Sequence, residues 1–464
     1  MAYANLEERL NAAGNVVEML RNAQAGPNVY PGVPPEYSNW RDEQRAWQET
    51  CVLFNQSYHM AELEVRGPDA VKLLSYLGVN TPNYEPGRAK QFVPCTPDGY
   101  VIGDVIQFCR TPDTIDLVGR APVLNWVTYH AQTGDWNVEV ELDQRSALRT
   151  DGRRKHYRFQ IQGPNAMQVI EKALGHKPEE LKFFSVTVEK IAGRDVFALR
   201  HGMAGQPGWE VYGPWEDYEA VYEAFVSAGE EFGMKLVGGR AYSSNAVESG
   251  WIPSPLPAIY TGDELKAYRE WLPADGYEGN ASIGGSFVSD DIEDYYFTPW
   301  DLTYGHLVKF DHDFIGREAL EKRAEEGGHR TKVTLALNDE DVTRVIGSQM
   351  RKEGRAKYMD WPSAVYAMHP FDRVSHDGKT IGVSTWVAYT ANEGKWLTLA
   401  VIDTEYADPG IEVTFHWGEE NGGTAKPTVE PHEPAEIRAI VSPVPYVETV
   451  RKQYAPGGWR AAHA

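Results

Sequence analysis

Residues 52–70 read VLFNQSYHMAELEVRGPDA. The run 52–55 is short and continuously apolar, as a buried strand requires. Residues 60–65 alternate apolar and polar, the period of two that one buried sheet face imposes. Gly67-Pro68-Asp69 then ends the strand and opens a helix, with Asp69 near its start. The same order of events recurs at FQIQGPN, residues 159–165, where a strand over 157–162 is followed by Gly163-Pro164 and a helix over 165–174. Two strand–Gly-Pro–helix passages predict two related α+β units.

Outward from these, residues 6–21 carry Leu6, Leu10, Val16, Val17 and Leu20 at helical spacing, and 42–49 form a second helix. Residues 26–35 are rich in Gly and Pro and read as irregular. Residues 91–94, 101–109 and 114–118 form a meander, with turns at Pro97-Asp98-Gly99 and Pro112-Asp113. Residues 250–305 show little periodicity and many Pro, Gly and aromatic residues, the composition of a long ordered functional loop. The charged, Gly-containing stretch 325–330 marks a boundary. Beyond it, runs at 332–337, 383–388, 397–402 and 412–417 predict an all-β C-terminal domain.

The 464 residues hold 45 Lys and Arg against 67 Asp and Glu, a formal charge of -22. Such a chain repels phosphate backbones and anionic lipid, so no nucleic-acid or membrane-surface partner is expected. An anionic substrate then needs a local cationic anchor. Cys51, Cys95 and Cys109 form no paired motif, no stretch approaches a membrane span, and the N-terminus lacks a secretory pattern, so a cytoplasmic protein is expected. No Gly-rich phosphate loop follows a strand, and the histidines include no HExxH, so no metal is expected. Asp311-His312-Asp313 and Gly284-Gly285-Ser286-Phe287 read as turns.

Several segments, in the same order and over nearly the whole chain, resemble the glycine-cleavage T-protein (aminomethyltransferase) family. They are residues 52–70, the QGP turn at 162–164, LRHGMAGQPGWEV at 199–211, GGRAYSSNAVESG at 238–250, and Thr298-Pro299 with FDHDFIGREAL at 310–320. Within that family the chain is most similar to the tetrahydrofolate-dependent aromatic O-demethylases of vanillate and syringate. The carriers are MLRNAQ (19–24), SNWRDEQRAW (38–47), VIGDVIQF (101–108), VGRAP (118–122), ESGWIPSPLPAIYTGDELKAYREWLP (248–273), IGGSFVS (283–289) and WGEENGGT (417–424). The resemblance implies an α+β fold of three domains in a ring around a central folate channel. Two are interleaved α+β domains, 1–50 with 140–245 and 51–139 with 246–328. The third, 329–464, is a C-terminal β-barrel-like domain. It also implies transfer of a methyl group from a methoxylated benzoate, of the vanillate or syringate type or a chlorinated analogue such as dicamba, to tetrahydrofolate.

The resemblance implies roles residue by residue. Tyr242 stands where the aminomethyltransferase pattern has Asp, and a phenol, unlike a carboxylate, is protonated at neutral pH and can donate to an ether oxygen. His59, at the family's SHM position, orients Tyr242 or bonds a ring hydroxyl. Arg120 anchors the benzoate carboxylate bidentately. Tyr30 and Asn28 line the aromatic pocket, with Asn28 departing from the Tyr of the vanillate enzymes. Glu210, Gln160, Trp251 and Phe183 hold the folate. For each residue the plain alternative is core packing or a satisfied surface contact. Two other activities stay open: a different folate-dependent aminomethyltransferase or amine or sulfonium demethylase, and a non-enzymatic folate-binding assembly factor. Gly103-Asp104 replaces the family's two adjacent acids and Tyr242 its Asp, against the former. The KGCYxGQE segment of the assembly factors is missing, against the latter.

Overall fold

The computed structural model describes residues 3–26, 30–149, 151, 153–203, 205–253, 255–420, 422–423, 426–455 and 458–459. Helices and sheets are mixed throughout. A six-stranded sheet runs in the order Met234–Val237, Cys51–Asn55, His156–Gln162, Gly208–Pro214, Arg194–Arg200, Val186–Ile191, antiparallel except for its first pair. A five-stranded antiparallel sheet runs Arg88–Phe92, Val105–Thr111, Thr114–Gly119, Ala61–Arg66, Glu139–Asp143. A closed barrel of six strands, Arg330–Leu337, Lys395–Asp403, Lys379–Thr390, Asp372–His376, Glu412–Trp417 and Ala435–Ser442, follows. The C-terminal β-barrel expectation is met, as is the pair of α+β units.

The two Gly-Pro passages are the same device used twice. Gly67 sits at φ 142° and Gly163 at φ 133°, where L side chains are rarely found. A Cβ on Gly67 would lie 2.3 Å from the Asn137 carbonyl oxygen, and one on Gly163 would lie 2.6 Å from the Cys51 Cα. Each glycine thus lets a neighbouring strand pass close by while the chain turns into a helix, Ala70–Leu77 or Ala166–Leu174. Asp69 makes no side-chain cap on its own helix; its carboxylate instead accepts the Asn137 N–H at 3.0 Å.

Several expected boundaries shift. The helix expected over 6–21 is two, Leu6–Ala13 and Val16–Arg21. Gly14 ends the first in a positive-φ conformation, and Asn15 caps the second through its side chain. Two strands cross the domain limits drawn from the sequence. Cys51–Asn55, assigned to the second unit, is an interior strand of the six-stranded sheet, because Val52, Leu53 and Phe54 are covered on both faces. The edge strand Glu139–Asp143 leaves residues 140–143 in the five-stranded sheet rather than in the first unit. The helix Leu6–Ala13 packs on Lys266–Trp271, so the N-terminal segment is not confined to the first unit either. Ser286 is structural, its hydroxyl donating to the His416 carbonyl at 2.7 Å. Among the described residues no helix is long and apolar enough to cross a membrane.

One helix, Gly239–Ser249, lies between the six-stranded sheet and the barrel, and a buried carboxylate fixes it. Glu248 is fully buried and accepts from Trp47 Nε1 at 2.7 Å, Gln48 Nε2 at 3.1 Å, Thr390 Oγ1 at 2.5 Å and Asn392 Nδ2 at 2.9 Å. Burial raises its pKa while these donors pull it back. Removing the acceptor leaves the buried Trp47 and Thr390 donors without this partner, and strips one from the half-buried Gln48. Glu248→Ala is therefore expected to cost about 1–3 kcal/mol of unfolding free energy for each buried donor left unpaired. Glu248→Gln, which keeps one acceptor oxygen, should cost less. Denaturant titration followed by tryptophan fluorescence measures both.

Candidate active site

A cavity of about 880 Å³ opens where the two sheets, the helix Gly239–Ser249 and the barrel meet. Its volume lies within the range of small-molecule sites. Tyr30, His59, Arg120, Phe183, Glu210, Tyr242 and Trp251 all reach its lining, though they come from distant parts of the chain. Asn28 lies outside the described residues. Gln160 does not reach the lining. It is fully buried behind it, and its amide N–H donates to the His201 carbonyl at 2.9 Å. It lies directly opposite Glu210 in the antiparallel pair, on the same sheet face, and the 201–203 loop covers it.

At one end three rings meet. Tyr30 lies 4.6 Å from Tyr242 and 4.9 Å from His59, ring centroid to centroid, and His59 lies 5.0 Å from Tyr242. The Tyr242 oxygen is 3.3 Å from His59 Nε2 and accepts from Gln56 Nε2 at 3.2 Å. Burial raises the Tyr242 phenol further above its ordinary value, helped by the neighbouring Tyr30 and Glu210 and opposed by the Gln56 hydrogen bond and Arg120. Burial likewise pushes Tyr30 up to about 12, against the pull of Arg120. His59 is pushed down to about 3, first by burial and then by Arg120, Arg154 and Arg145. At neutral pH the end therefore holds two protonated phenols and a neutral imidazole.

Arg120 stands at the N-cap of the helix Ala121–Thr133. No carboxylate among the described residues lies within ion-pair distance of it. The helix N-terminus adds its own positive end. Arg145 carries a second cation nearby; burial and then the like charge of Arg120 lower its pKa, while Tyr277 raises it. This is the local positive region that a chain of charge -22 needs to take up an organic anion.

The wall around Glu210 is built differently. Glu210 is buried and bonded at 2.5 Å by Arg158, which also reaches Glu62 at 3.4 Å and lies 4.4 Å over the Tyr212 ring. That pairing holds a carboxylate in the cavity wall at a fixed angle. Phe183 and Phe184 lie 4.4 Å apart and His201 stacks on Phe184 at 5.3 Å, a flat apolar surface beside it. Trp251 stands at the rim, 41% exposed, with its indole N–H on Asp104 at 3.2 Å. Asp104 does more than shape a turn. Burial raises its pKa, while Gln91, Trp251 and the barrel residue Lys332 pull it down. Lys332, itself pushed down to about 8 by burial, is drawn up by Asp104. Lys90 and Lys309 add positive charge to the lining.

Gln56, Asn245 and Lys332 line the cavity without having been singled out from the sequence. Gln56 adjoins the Ser57-Tyr58-His59 segment, and that adjacency was the one available signal. Asn245 lies three residues after Tyr242 on the same helix face. Nothing in the period-two pattern of a barrel strand marks Lys332.

The unfolded imidazole of His59 takes up a proton near pH 6.5, whereas in the folded protein it does so only near 3. The unfolded state binds more protons between these values, so stability from this group is complete above 6.5 and is lost as pH falls toward 3. His59→Gln should flatten this acid limb when thermal midpoints are measured from pH 7 to 4. An unchanged slope would show that His59 is not buried in its neutral form.

Residues 6–254 match the GCVT N-terminal domain. The chain is 60% identical to syringate O-demethylase of a Sphingobium species over 461 residues, 99% of each chain. It is 30% identical to sesamin methylene transferase of a Sinomonas species over 434 residues, 90% of each. Among solved structures it is similar to the aminomethyltransferase T of the glycine cleavage system from Bartonella henselae. The TM-score is 0.61 at 18% identity, covering 93% of this chain and 97% of that one.

Proposed function

Because the chain belongs to the GCVT family, and is 60% identical along its length to a syringate O-demethylase, we propose that it is an aryl O-demethylase that moves the methyl group of a methoxylated benzoate to tetrahydrofolate. The products are the phenol and 5-methyltetrahydrofolate. The observation that carries this reading is one end of the cavity. A protonated Tyr242 and a neutral His59 stand beside Tyr30, and Arg120, which has no carboxylate partner among the described residues, faces the same space.

An aryl methyl ether is a poor methyl donor because the electron pair of the breaking C–O bond must settle on the phenolic oxygen. A proton donor held at that oxygen lowers the barrier. Tyr242 supplies the proton. With Gln56 donating to its oxygen, the Tyr242 hydroxyl hydrogen is left for His59 or for the ether oxygen. The phenolate left on Tyr242 regains its proton from the one that the amine of tetrahydrofolate gives up in the net reaction, while the neutral His59 holds the Tyr242 oxygen in place. Arg120 pairs with the benzoate carboxylate and sets the ring's orientation, and Tyr30 packs against the ring. Tyr30, Tyr242 and His59 are uncharged, so charge developing on the ether oxygen is felt strongly in a site from which substrate displaces water.

The remaining space suits tetrahydrofolate. The Glu210 carboxylate can accept the paired N–H groups of a pterin edge, Phe183 and Phe184 offer a flat apolar face, and Lys90 and Lys309 suit the carboxylates of the glutamyl tail. Trp251 closes the rim, and Gln160 supports the 201–203 loop from behind. When bound, tetrahydrofolate supplies the secondary amine that accepts the methyl group. Its proton balances the one taken up by the phenol.

The test is product analysis with tetrahydrofolate and vanillate, syringate, 3-O-methylgallate and 3,6-dichloro-2-methoxybenzoate. Loss of one methyl group with an equal amount of 5-methyltetrahydrofolate is the expected result. Silence across the panel with folate bound would overturn the aromatic ether as donor. With the responsive substrate, Tyr242→Phe should lower kcat by about 10²–10⁴, the range for general acid catalysis, with folate affinity unchanged. Full turnover in that variant would remove Tyr242 from the chemistry.

A further inference from the structure

One wall of the cavity belongs to neither sheet. After the last barrel strand, Ala435–Ser442, the chain leaves the barrel, and Val444, Pro445 and Tyr454 reach the cavity lining. The helix Glu448–Tyr454 lies against the loop that leads to Glu210. A Cβ on Gly205 would come within 2.8 Å of Val450 Cγ1. Further on, Trp459 turns back over that loop. A Cβ on Gly202 would meet its ring at 3.5 Å, and its N–H donates to Gln453 Oε1 at 3.0 Å.

The Trp459 ring makes two directional contacts. It stands edge-on to Phe183, centroids 5.9 Å apart at 87°, and the Arg200 guanidinium lies 4.8 Å over its face. Arg200 also donates to the Trp459 carbonyl and to the Leu181 carbonyl, two residues before Phe183. Phe183 is thus held from one side by Phe184 and from the other by a residue near the C-terminus. None of the apolar clusters among the described residues contains Trp459, so its contacts bear on this wall rather than on a core.

We propose that Trp459 is a positioning residue for tetrahydrofolate. Its edge-on contact with Phe183 and its hold on Arg200 keep the Phe183–Phe184 pair and the 201–203 loop in place beside Glu210. The C-terminal segment thereby sets cofactor affinity, although the same loop also carries Met203, which meets Gln56 Nε2 at 2.8 Å and the Tyr242 hydroxyl at 4.0 Å. The inference rests on the demethylase reading for the identity of the ligand. Chemically, it requires only a flat heteroaromatic that meets Phe183 and Glu210 together.

Trp459→Ala should weaken tetrahydrofolate binding, read by calorimetry on the full chain, by about tenfold, as expected for losing one aromatic and one cation–π contact. The KM for tetrahydrofolate should rise in step, while kcat and the KM for the methoxybenzoate change by clearly less than that factor, because the contacts of Trp459 fall on Phe183, Arg200 and the loop and not on Arg120, Tyr30 or His59. Trp459→Phe, which keeps an aromatic edge for Phe183, should recover most of the affinity. An unchanged tetrahydrofolate affinity in Trp459→Ala would overturn the proposal and leave the demethylase reading standing. So would a parallel loss of kcat, both KM values and thermal stability, which is the signature of a structural role. Wild-type protein that binds tetrahydrofolate but turns over no methoxybenzoate would sink the demethylase reading, and the calorimetric comparison would still decide the role of Trp459. Wild-type protein that binds no tetrahydrofolate would sink both.

Discussion

The site depends on one helix being held still, and a buried carboxylate holds it. Glu248 gathers four donors from two other elements: Trp47 and Gln48 on the helix Trp40–Glu49, and Thr390 and Asn392 at the end of a barrel strand. Burying a carboxylate is costly, and only a full set of hydrogen bonds offsets the lost hydration. The same helix adds Glu43, which accepts the backbone N–H of Gly238 at 2.9 Å and so fixes the first turn of Gly239–Ser249. Gln44 adds a third tie, to Ser244 at 2.6 Å and to the Ala391 backbone N–H at 2.7 Å. The helix that carries Tyr242 is therefore anchored at its start, middle and end, and the barrel is anchored with it.

Rigid placement matters because two parts of the cavity wall are made unlike each other. At the Tyr242 end, burial removes charge: the phenols stay protonated and His59 stays neutral, with Arg120 as the cation. Around Glu210, burial is compensated, with Arg158 bridging Glu210 and Glu62. Burial works to raise Glu62, but Arg158, His156 and Arg154 prevail and bring it to about 2. A strongly acidic chain thus presents neutral, cation-flanked rings and an oriented carboxylate in one cavity. Long-range charge sets neither; the local pairings do.

Much of the architecture was legible along the chain. The two Gly-Pro passages marked two α+β units because a strand ending against a close backbone neighbour tolerates only glycine there, and that constraint is local. Short runs marked the barrel for a similar reason: strands such as Lys395–Asp403 are buried along nearly their whole length, while Glu412–Trp417 alternates. The split at Gly14-Asn15 was written in residue types that end and begin helices. Tyr30, His59, Arg120, Phe183, Glu210, Tyr242 and Trp251 were named from motif resemblance, and all reach one cavity.

What the sequence determined by itself was local: which segments bury a face, where the chain must turn, and which side chains carry usable chemistry. Tertiary structure alone decided which of these meet. Cys51–Asn55 joined the six-stranded sheet through pairings with strands more than a hundred residues away, which no local pattern encodes. Gln160 kept its expected strand but points its amide at the His201 carbonyl rather than into the cavity. Lys332 came to Asp104, and Trp459 to Phe183, across the same kind of distance. Protonation followed suit. A tyrosine and a histidine have ordinary pKa values in a sequence; in the fold, burial raises Tyr242 further against the pull of Arg120, and burial with the surrounding arginines holds His59 neutral.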